Sequence, residues 1–477
     1  MTTTGECIPK QNNSIGDRVT RIRAVLVVIG IAMVAAALAA DWLGIGSDPG
    51  FGISQILLAT VGLGSLLSGF ALGIAVVPRW AKRFIFSRAG LVLGGLFVGL
   101  LASELSLRVV EFVNNPWVRT ETNARRQVVP DPKLGIRLAA HTGGHDGKGF
   151  RNDTVPGQVD IVAIGDSQTW GENAIRSEAW PQTLARLSGL SVYNMALGGY
   201  GPVHYWALLE EALELSPKMI VIGLYFGNDL YDAYVLAHGH DAYAGFRNES
   251  VAGDLMNDTV TPRIRALKDA WEEFLTRYRW SLWLAHQSAV VRLLYNRGWW
   301  PTSIEPWKEY RPSKAWAFAF PDHAAVYEQG DVRTVFTTTY RLLALELDEP
   351  RITEGLRITK QMIRRIHART EARGVHLLVM LIPTKEMVHK NALRRLQGQL
   401  TEAHSRLVQM ELRAKAEILS LCKDHAIECL DGLPVLEQAV EQGEQIYPSG
   451  RDGHPNARGY FLIASAVNQA LLRNGWW

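Results

Sequence analysis

The chain has 477 residues, a formal net charge of +3 and 3 cysteines. Its length exceeds that of one small domain, and its near-neutral charge, with no basic stripe, argues against a nucleic-acid partner. So few cysteines exclude a disulfide-dense scaffold and a zinc ribbon. Cys422 and Cys429 are either a disulfide pair, if their region lies outside the cytoplasm, or two small core residues.

Three apolar runs come first along the chain, at about 24–40, 55–77 and 89–113. Each run approaches or exceeds the ~20 residues that a helix needs to cross a ~30 Å hydrocarbon core. Three such runs, with no small-residue cleavage site after the first, predict retained transmembrane helices rather than a signal peptide. We therefore expect a cytoplasmic N-terminus over 1–21 and three transmembrane helices within 22–113.

The short loops between these runs predict how the chain crosses the membrane. Lys10, Arg18, Arg21 and Arg23 precede the first run, "DWLGIGSDPGFG" after it carries two acids and no base, and "PRWAKRFIFSR" before the third carries four basic residues. The positive-inside rule then places the N-terminus in the cytoplasm and everything after Val113 outside it. This predicts a multi-pass membrane protein with an extracytoplasmic domain, its three spans serving as an anchor or as a docking surface for another membrane protein.

After the apolar runs, residues 114–158 are rich in Pro, Gly and Arg and are predicted to be a connector. From residue 159 onward, helical spacing alternates with short apolar runs: "DIVAIGDS", "LSVYNMALGGYG", "KMIVIGLYFGNDL", "GVHLLVMLIPTKE" and "HAIECLDG". This alternation predicts an α/β fold over 159–477, a three-layer α/β/α arrangement around a parallel sheet. The pattern breaks over about 231–337, which predicts a large helical insertion, either a lid over the functional edge of the sheet or a peripheral subdomain.

The first of these strands ends in the sharp polar turn Gly165-Asp166-Ser167. A serine at the tip of a strand-to-helix turn lies near backbone N–H donors, where a nucleophile is placed, although a helix-capping serine in an ordinary loop has the same pattern. The last loop, "GRDGHPNARGY", supplies Asp452 and His454 just before a helix. Because ligands bind beyond the carboxyl ends of parallel strands, we expect these loops to gather at one edge of the sheet.

Four segments in order, "IGDSQTWG", "NMALGGYG", "FGNDL" and "DGHPNARGY", resemble the blocks of the SGNH (GDSL-type) esterases and acyltransferases. The resemblance runs from about Val159 to Leu472 and leaves out the apolar runs. It implies a flavodoxin-like three-layer fold and, with the apolar runs, a membrane-anchored bacterial branch of this superfamily. Such a protein would be a multi-pass protein of the inner membrane with its catalytic domain in the periplasm. The resemblance also implies chemistry on ester bonds.

Carried over residue by residue, the resemblance implies that Ser167 is the nucleophile and His454 the base. The oxyanion hole would consist of the Ser167 backbone N–H, Gly199 and Asn228. In the third block Gly227 directly precedes Asn228, whereas the family pattern has one residue between them.

The acidic partner of His454 departs from the commonest family pattern. That pattern has an Asp three residues before the His, a position that Arg451 occupies here, and Asp452 lies two before it. The shorter spacing resembles that of bacterial polysaccharide O-acetyltransferases of the same superfamily. Asp452 is therefore the candidate that orients the imidazole.

Other polar residues have less specific interpretations. Lys385 either contacts an anionic substrate or is a solvated loop lysine, and Asp166 and Asp229 are expected to form loop hydrogen bonds. His238, His240 and Asp241, in "HGHDAY", are residue types that can bind a metal, but their segment gives no fixed ligand geometry. We therefore expect no metal there, and we expect no cofactor.

The favoured interpretation is a membrane-anchored serine esterase that acts on an acyl ester or an O-acylated glycan outside the cytoplasm. The first alternative is an O-acyltransferase that acetylates an envelope or exported polysaccharide and receives its acyl group from a membrane-bound partner protein. The second is a non-catalytic assembly protein that binds glycan.

Overall fold

The computed structural model describes the residues 13–39, 59, 61–66, 99–108, 128–142, 144–251, 276, 288, 290, 314, 317, 324–330 and 332–476. The chain divides into two compact units, and the first contains residues 1–114 and 287–290. The second contains residues 115–286 and 291–477.

In the first unit, helix α1 (Asn13–Ala39) contains residues 24–39 of the first apolar run. The second and third predicted spans lie largely outside the described residues. Within the described part of the chain, no helix combines the length and the apolarity required to cross a membrane. Glu104 pairs with Arg108 at 2.7 Å, one helical turn away, and also accepts a hydrogen bond from the Ser288 hydroxyl.

The second unit combines strands with helices in alternation. Its described strands are β1 (Val128–Asp131), β2 (Gly135–Leu138), β3 (Ile161–Gly165), β4 (Val192–Ala196), β5 (Met219–Tyr225), β6 (Ala325–Gln329), β7 (Val332–Phe336), β8 (His376–Ile382) and β9 (Glu428–Asp431). Its described α-helices are α2 (Ser167–Trp170), α3 (Trp180–Ser188), α4 (Pro202–Leu213), α5 (Asp229–Gly239), α6 (Thr338–Leu342), α7 (Pro350–Glu371), α8 (Lys385–Val388), α9 (Lys390–Gln397), α10 (Glu402–Asp424), α11 (Leu433–Glu441) and α12 (Ala457–Asn474). Short 3₁₀ turns occur at Arg176–Glu178, Asp241–Phe246 and Glu249–Val251.

Five of these strands form one parallel sheet in the order β4-β3-β5-β8-β9. They are the five strands that the apolar runs predict, so the predicted parallel α/β sheet is confirmed. The chain passes from β3 outward to β4 and then crosses over to β5, which makes the β3/β5 boundary the topological switch point. The pairs β1–β2 and β6–β7 are separate antiparallel hairpins.

Alternate residues of the central strands enter two different cores. Val162 and Ile164 pack with α4, α7 and α10, whereas Ile161 and Ala163 pack with α3, α11 and α12. Parallel strands buried on both faces need helices on both sides. This explains why the runs are continuously apolar rather than alternating, and it gives the three layers.

The predicted insertion over 231–337 lies mostly outside the described residues. Its start belongs to α5, which continues directly from the loop after β5, and its end is the β6–β7 hairpin. The expectation of a lid or a peripheral subdomain falls on residues outside the described ranges, and the boundaries at 114, 158, 231 and 337 stay predictions.

A disulfide joins Cys422 to Cys429, which lie 7 positions apart with a Cα–Cα distance of 6.2 Å. It connects the last turn of α10 to the edge strand β9. Of the two alternatives for these cysteines, the structure has the bonded pair.

Candidate active site

The turn between β3 and α2 presents Ser167 as the first residue of a short helix. The carboxylate of Asp166 caps this helix by accepting the Gln168 backbone N–H at 2.9 Å. Gly165 permits the tight approach, because a Cβ there would lie 2.1 Å from Oγ1 of Thr169. The expected loop hydrogen bond of Asp166 is thus present, and it holds the backbone on which Ser167 sits.

His454 connects Ser167 to Asp452 through its two ring nitrogens. Its Nε2 lies 2.7 Å from Oγ of Ser167, and its Nδ1 lies 2.6 Å from Oδ1 of Asp452. An ionised carboxylate can only accept, so Nδ1 carries the ring proton and Nε2 is left to accept the serine proton. The three residues that the sequence analysis selected are brought together in the order that a Ser-His-Asp relay needs.

The short Asp-x-His spacing works because both bonds are made within one tight turn. Oδ1 of Asp452 accepts the backbone N–H of His454 at 2.9 Å as well as its ring N–H. This second bond fixes the carboxylate relative to the imidazole, and both side chains are mostly buried, with 12% and 20% exposed, respectively.

The loop that carries His454 is tied to the loop that follows α2. Asn173 donates from Nδ2 to the His454 carbonyl oxygen at 3.3 Å, and the Tyr460 hydroxyl donates to the Glu172 carbonyl oxygen at 2.8 Å. Asn456 caps α12 through its side-chain oxygen, which accepts the Arg458 and Gly459 backbone N–H groups. These contacts join the two ends of the second unit beside Ser167.

The backbone donors predicted for the oxyanion hole lie next to Ser167. Gly199 has a φ of +85°, a conformation that L side chains rarely adopt. A Cβ on the adjacent Gly198 would lie 3.6 Å from Cβ of Ser167, so this loop runs alongside the nucleophile. Within the described residues, the N–H groups of Ser167 and Gly199 donate to no other residue.

Asn228, the side-chain member of the predicted oxyanion hole, is held by a carboxylate. Its Nδ2 donates to Oδ2 of Asp232 at 2.6 Å. This bond fixes the plane of the amide and uses one of its two protons. The other proton is available to the neighbouring Asp166 or to a substrate oxygen.

Three buried carboxyl groups, those of Asp166, Asp229 and Asp232, interact near this amide, and the charge of Asp166 disfavours ionisation of the other two. Burial raises the pKa of Asp166 to about 6, against the lowering effect of the Gln168 N–H, the His454 charge and Asn228. Burial and the Asp166 charge raise the pKa of Asp232 to about 8. Burial, together with the Asp166 charge, also raises the pKa of Asp229 well above its usual value.

Asp229 makes the loop hydrogen bonds expected of it. Its carboxyl group accepts the Tyr205 hydroxyl at 2.9 Å and the Tyr225 backbone N–H at 2.9 Å. It therefore joins the end of β5 to α4.

Lys385 does not fit either of the roles expected for it. Its side chain is fully buried, and Nζ donates to four oxygens of the chain rather than to solvent or substrate. An ammonium group has three protons, so these four acceptors leave none for a ligand. The expectation of a substrate contact is corrected, because the loop after β8 folds inward beneath the His454 loop.

Sequence reasoning missed Arg151, which lies in the predicted connector. This fully buried guanidinium donates to the carbonyl oxygens of Trp170 at 3.0 Å, Gly171 at 2.8 Å and Ala174 at 2.9 Å, and its Cζ lies 3.9 Å from the Trp170 ring centroid. It therefore holds the chain that leaves α2. The feature that marks Arg151 as important is its complete burial, which is unusual for an arginine. Because burial is not visible in a sequence, no sequence signal could have pointed to it.

The histidines of "HGHDAY" have local partners. His238 stacks on the Tyr234 ring at 4.2 Å, and Nδ1 of His240 accepts the Ala242 backbone N–H at 3.2 Å. Across the described part of the chain, no group of three or more His, Cys, Asp or Glu side chains is placed to hold a metal ion.

No protein-family model matches the chain, and no curated protein does. Among solved structures, it is similar to a lipolytic protein of the G-D-S-L family from Desulfitobacterium hafniense, with 14% identity and a TM-score of 0.31, over 66% of this chain and 100% of that chain. It is also similar to a catalytic mutant of an acetylxylan esterase from Geobacillus stearothermophilus (10% identity, TM-score 0.30, 66% of this chain and 94% of that chain). A third similar structure is phospholipase A1 from Streptomyces albidoflavus (11% identity, TM-score 0.32, 65% of this chain and 99% of that chain).

Proposed function

We propose that the chain is a serine esterase of the SGNH type that hydrolyses acyl esters through a covalent intermediate on Ser167. The observation that carries the proposal is the continuous contact from Asp452 through His454 to Ser167, with distances of 2.6 and 2.7 Å. A serine hydroxyl is a weak nucleophile, and an adjacent imidazole that accepts its proton makes it reactive. The position of this contact, beyond the carboxyl ends of a parallel sheet, is where such folds bind ligands.

In the first half of the reaction, Nε2 of His454 takes the Oγ proton while Oγ of Ser167 attacks the ester carbonyl carbon. The charge that develops on the carbonyl oxygen is received by the N–H groups of Ser167 and Gly199 and by Asn228. Each such donor is worth roughly 10²–10³ in rate. The imidazolium then donates its proton to the leaving alcohol, and the acyl group remains on Ser167.

In the second half, His454 takes a proton from water, whose oxygen attacks the acyl carbonyl. The imidazolium returns its proton to Oγ of Ser167 as the carboxylic acid leaves. Throughout, Asp452 keeps Nδ1 protonated and stabilises the imidazolium each time it forms.

The esterase proposal is tested with the purified full-length chain and an activated acetyl ester, 4-nitrophenyl acetate. We expect turnover by the unaltered protein and its loss in Ser167→Ala. Ser420→Ala is the matched control, because Ser420 is an exposed residue of α10 whose hydroxyl forms a hydrogen bond only with Asp424 among the described residues. Equal turnover in the unaltered protein and in Ser167→Ala would remove Ser167 from the mechanism.

An O-acyltransferase shares the same acyl-serine intermediate and differs only in the acceptor, a sugar hydroxyl instead of water. The two-residue spacing of Asp452 and His454, which resembles that of polysaccharide O-acetyltransferases, favours this second candidate. Its test supplies candidate glycans to the acylated protein and weighs the products. Acyl groups that reach only water with every glycan tried would count against it. Glycan binding without any turnover would instead indicate the non-catalytic assembly protein.

We also propose that the N-terminal apolar runs anchor the protein in a bacterial inner membrane with the second unit in the periplasm. The charge asymmetry of the short loops supports this orientation. The Cys422–Cys429 disulfide supports it too, since such bonds persist in oxidising compartments. Protease added to intact spheroplasts is expected to digest the second unit, and protection of that unit would contradict the orientation.

A further inference from the structure

The loop from Pro448 to His454 is held from beneath by one buried ammonium group. Nζ of Lys385 lies 3.1 Å from the Gly450 carbonyl oxygen and 2.9 Å from the Asp452 carbonyl oxygen. It also donates to the Val335 carbonyl oxygen at 2.7 Å and to Oγ1 of Thr334 at 3.0 Å. One cation thus joins the loop that presents His454 to strand β7.

Strand β7 reinforces the same connection. Oγ1 of Thr334 lies 3.3 Å from the Pro448 carbonyl oxygen and 3.2 Å from the Gly450 carbonyl oxygen. The Val335 backbone N–H donates to the Gly450 carbonyl oxygen at 3.3 Å. Because Thr334 and Lys385 are both fully buried, these contacts are shielded from competing water.

A cation is required at this position because several carbonyl oxygens converge there. One ammonium shares its three N–H donors among four oxygens, whereas an apolar side chain of similar length would leave buried acceptors unpaired. The Asp452 carbonyl belongs to the same residue whose carboxylate orients His454. Displacement of the Lys385 contact therefore moves the imidazole relative to Ser167.

We propose that Lys385 is a positioning residue that holds the Asp452–His454 pair in register with Ser167. The inference depends on the proposed esterase function and adds to it a group that does not touch the reacting atoms. In well-oriented catalytic groups, a 1 Å displacement can cost about 10² in rate. We therefore expect Lys385→Met to slow acylation of Ser167 about 100-fold.

Deprotonation removes the charge of Lys385 without changing the volume of its side chain. The pH dependence of the reaction therefore distinguishes a role of the charge from a role in filling space. Burial lowers its pKa to about 8; the charges of Glu386 and Asp452 oppose this change, and Arg341 reinforces it. His389 also lies nearby, but burial lowers its pKa to about 3, so it stays neutral in the relevant range. The Phe336 ring, 5.8 Å from Nζ, completes the surroundings. A neutral amine donates only two protons, so the loop loses contacts above about pH 8.

The experiment follows the rate at which a fluorophosphonate labels Ser167 in the full chain, read by intact mass from pH 6 to pH 10. For the unaltered protein we expect a labelling rate that declines above about pH 8. The side chain in Lys385→Arg stays protonated over this range, so the labelling rate of this variant is expected not to decline above about pH 8. Lys415→Met is the matched control: Lys415 is a mostly buried lysine paired with Asp431 at 2.9 Å, and its removal is expected to leave the labelling rate unchanged.

Asp232 needs its own control, because its pKa is also raised to about 8 and its ionisation could cause the same decline in the labelling rate. The decline must persist in Asp232→Asn if Lys385 is its source. If Lys385→Met fails to fold, Thr334→Val replaces it, because this nearly isosteric change removes only the hydroxyl that contacts Lys385 and the loop. We expect Thr334→Val to label about 10-fold more slowly than Thr334→Ser.

Three outcomes are distinguished by this design. No labelling of Ser167 in the unaltered protein would overturn the esterase proposal and this inference together. Labelled protein in which folded Lys385→Met, or Thr334→Val, reacts as fast as its control would overturn the positioning role alone. A labelling rate that still declines above about pH 8 in Lys385→Arg would overturn the role of the charge.

Discussion

The imidazole of His454 lies 2.7 Å from the hydroxyl of Ser167, although 287 positions of sequence separate the two residues. The serine follows the first strand of the sheet, at the start of α2, and the histidine lies in the loop before α12. They meet because the β3 exit and the α12 entry open onto the same edge of the sheet, where Asn173 and Tyr460 tie the loops together.

Asp452→Asn is expected to lower kcat by roughly 10³–10⁴-fold with little change in stability. The amide can present its N–H to the imidazole, which places the ring proton on Nε2 and prevents Nε2 from accepting the serine proton. Initial rates with 4-nitrophenyl acetate test this. His240→Gln, a change at the histidine that caps the 3₁₀ turn Asp241–Phe246, serves as the control. A kcat within threefold of the unaltered protein would show that Asp452 does not orient the base.

Asn228→Ala is expected to reduce kcat by roughly 10²–10³-fold while KM changes little, because the lost donor acts on charge that develops only in the transition state. The measurement is a full kcat and KM determination. Asn248→Ala is the control, since Asn248 caps an exposed turn through Ser250. A rise in KM at constant kcat would instead make Asn228 a ground-state binding residue.

Arg151→Met is expected to lower the free energy of unfolding by about 3–5 kcal/mol, because three buried carbonyl oxygens lose their donors. Urea unfolding of the full chain, followed by tryptophan fluorescence, measures this. Arg395→Met provides the comparison: its exposed ion pair with Glu441 at 3.0 Å is expected to contribute less than about 1 kcal/mol. Similar losses in the two variants would mean that the Arg151 contacts do not stabilise the loop after α2.

Glu411→Gln is expected to change the pH dependence of stability. Burial raises the pKa of Glu411 from 4.5 to about 7, while hydrogen bonds from the Thr384 hydroxyl and backbone N–H lower it. A carboxyl group whose pKa is raised by folding stabilises the protein below pH 4.5, and this contribution is lost as pH rises through 7. At 1.36 kcal/mol per pKa unit, the difference amounts to about 3 kcal/mol.

The measurement for Glu411 compares unfolding free energies at pH 5 and pH 8. The unaltered protein should lose about 2–3 kcal/mol more than Glu411→Gln over that interval, because a small part of the difference is already lost at pH 5. Comparing the two proteins cancels the contributions of the other titrating groups. Glu417→Gln is the control. Glu417 lies on α10, the helix that also carries Glu411, and its mostly exposed side chain pairs with Lys360. Parallel pH profiles for the unaltered protein and Glu411→Gln would contradict an ionisation suppressed by burial.

The sequence by itself determined the sheet and the three central residues of the site. Continuous apolar runs predict strands buried on both faces, and the polar turns after them predict which end of the sheet carries function. Ser167, Asp452 and His454 were accessible to this reasoning because each lies in a short segment whose local pattern is distinctive. Residue spacing alone also permitted the Asp452–His454 pair, since two positions suffice for one turn to hold both groups.

Only the tertiary structure decided what supports those three residues. The oxygens that Lys385 binds lie 50 to 67 positions away along the chain, and Arg151 reaches carbonyl groups 19 to 23 positions away. The bond from Asn228 to Asp232 likewise depends on how α5 leaves the sheet. A sequence records which charges exist but not which of them folding removes from water. Burial, with the distant partners that it makes necessary, turned a predicted surface lysine into an internal support for the His454 loop.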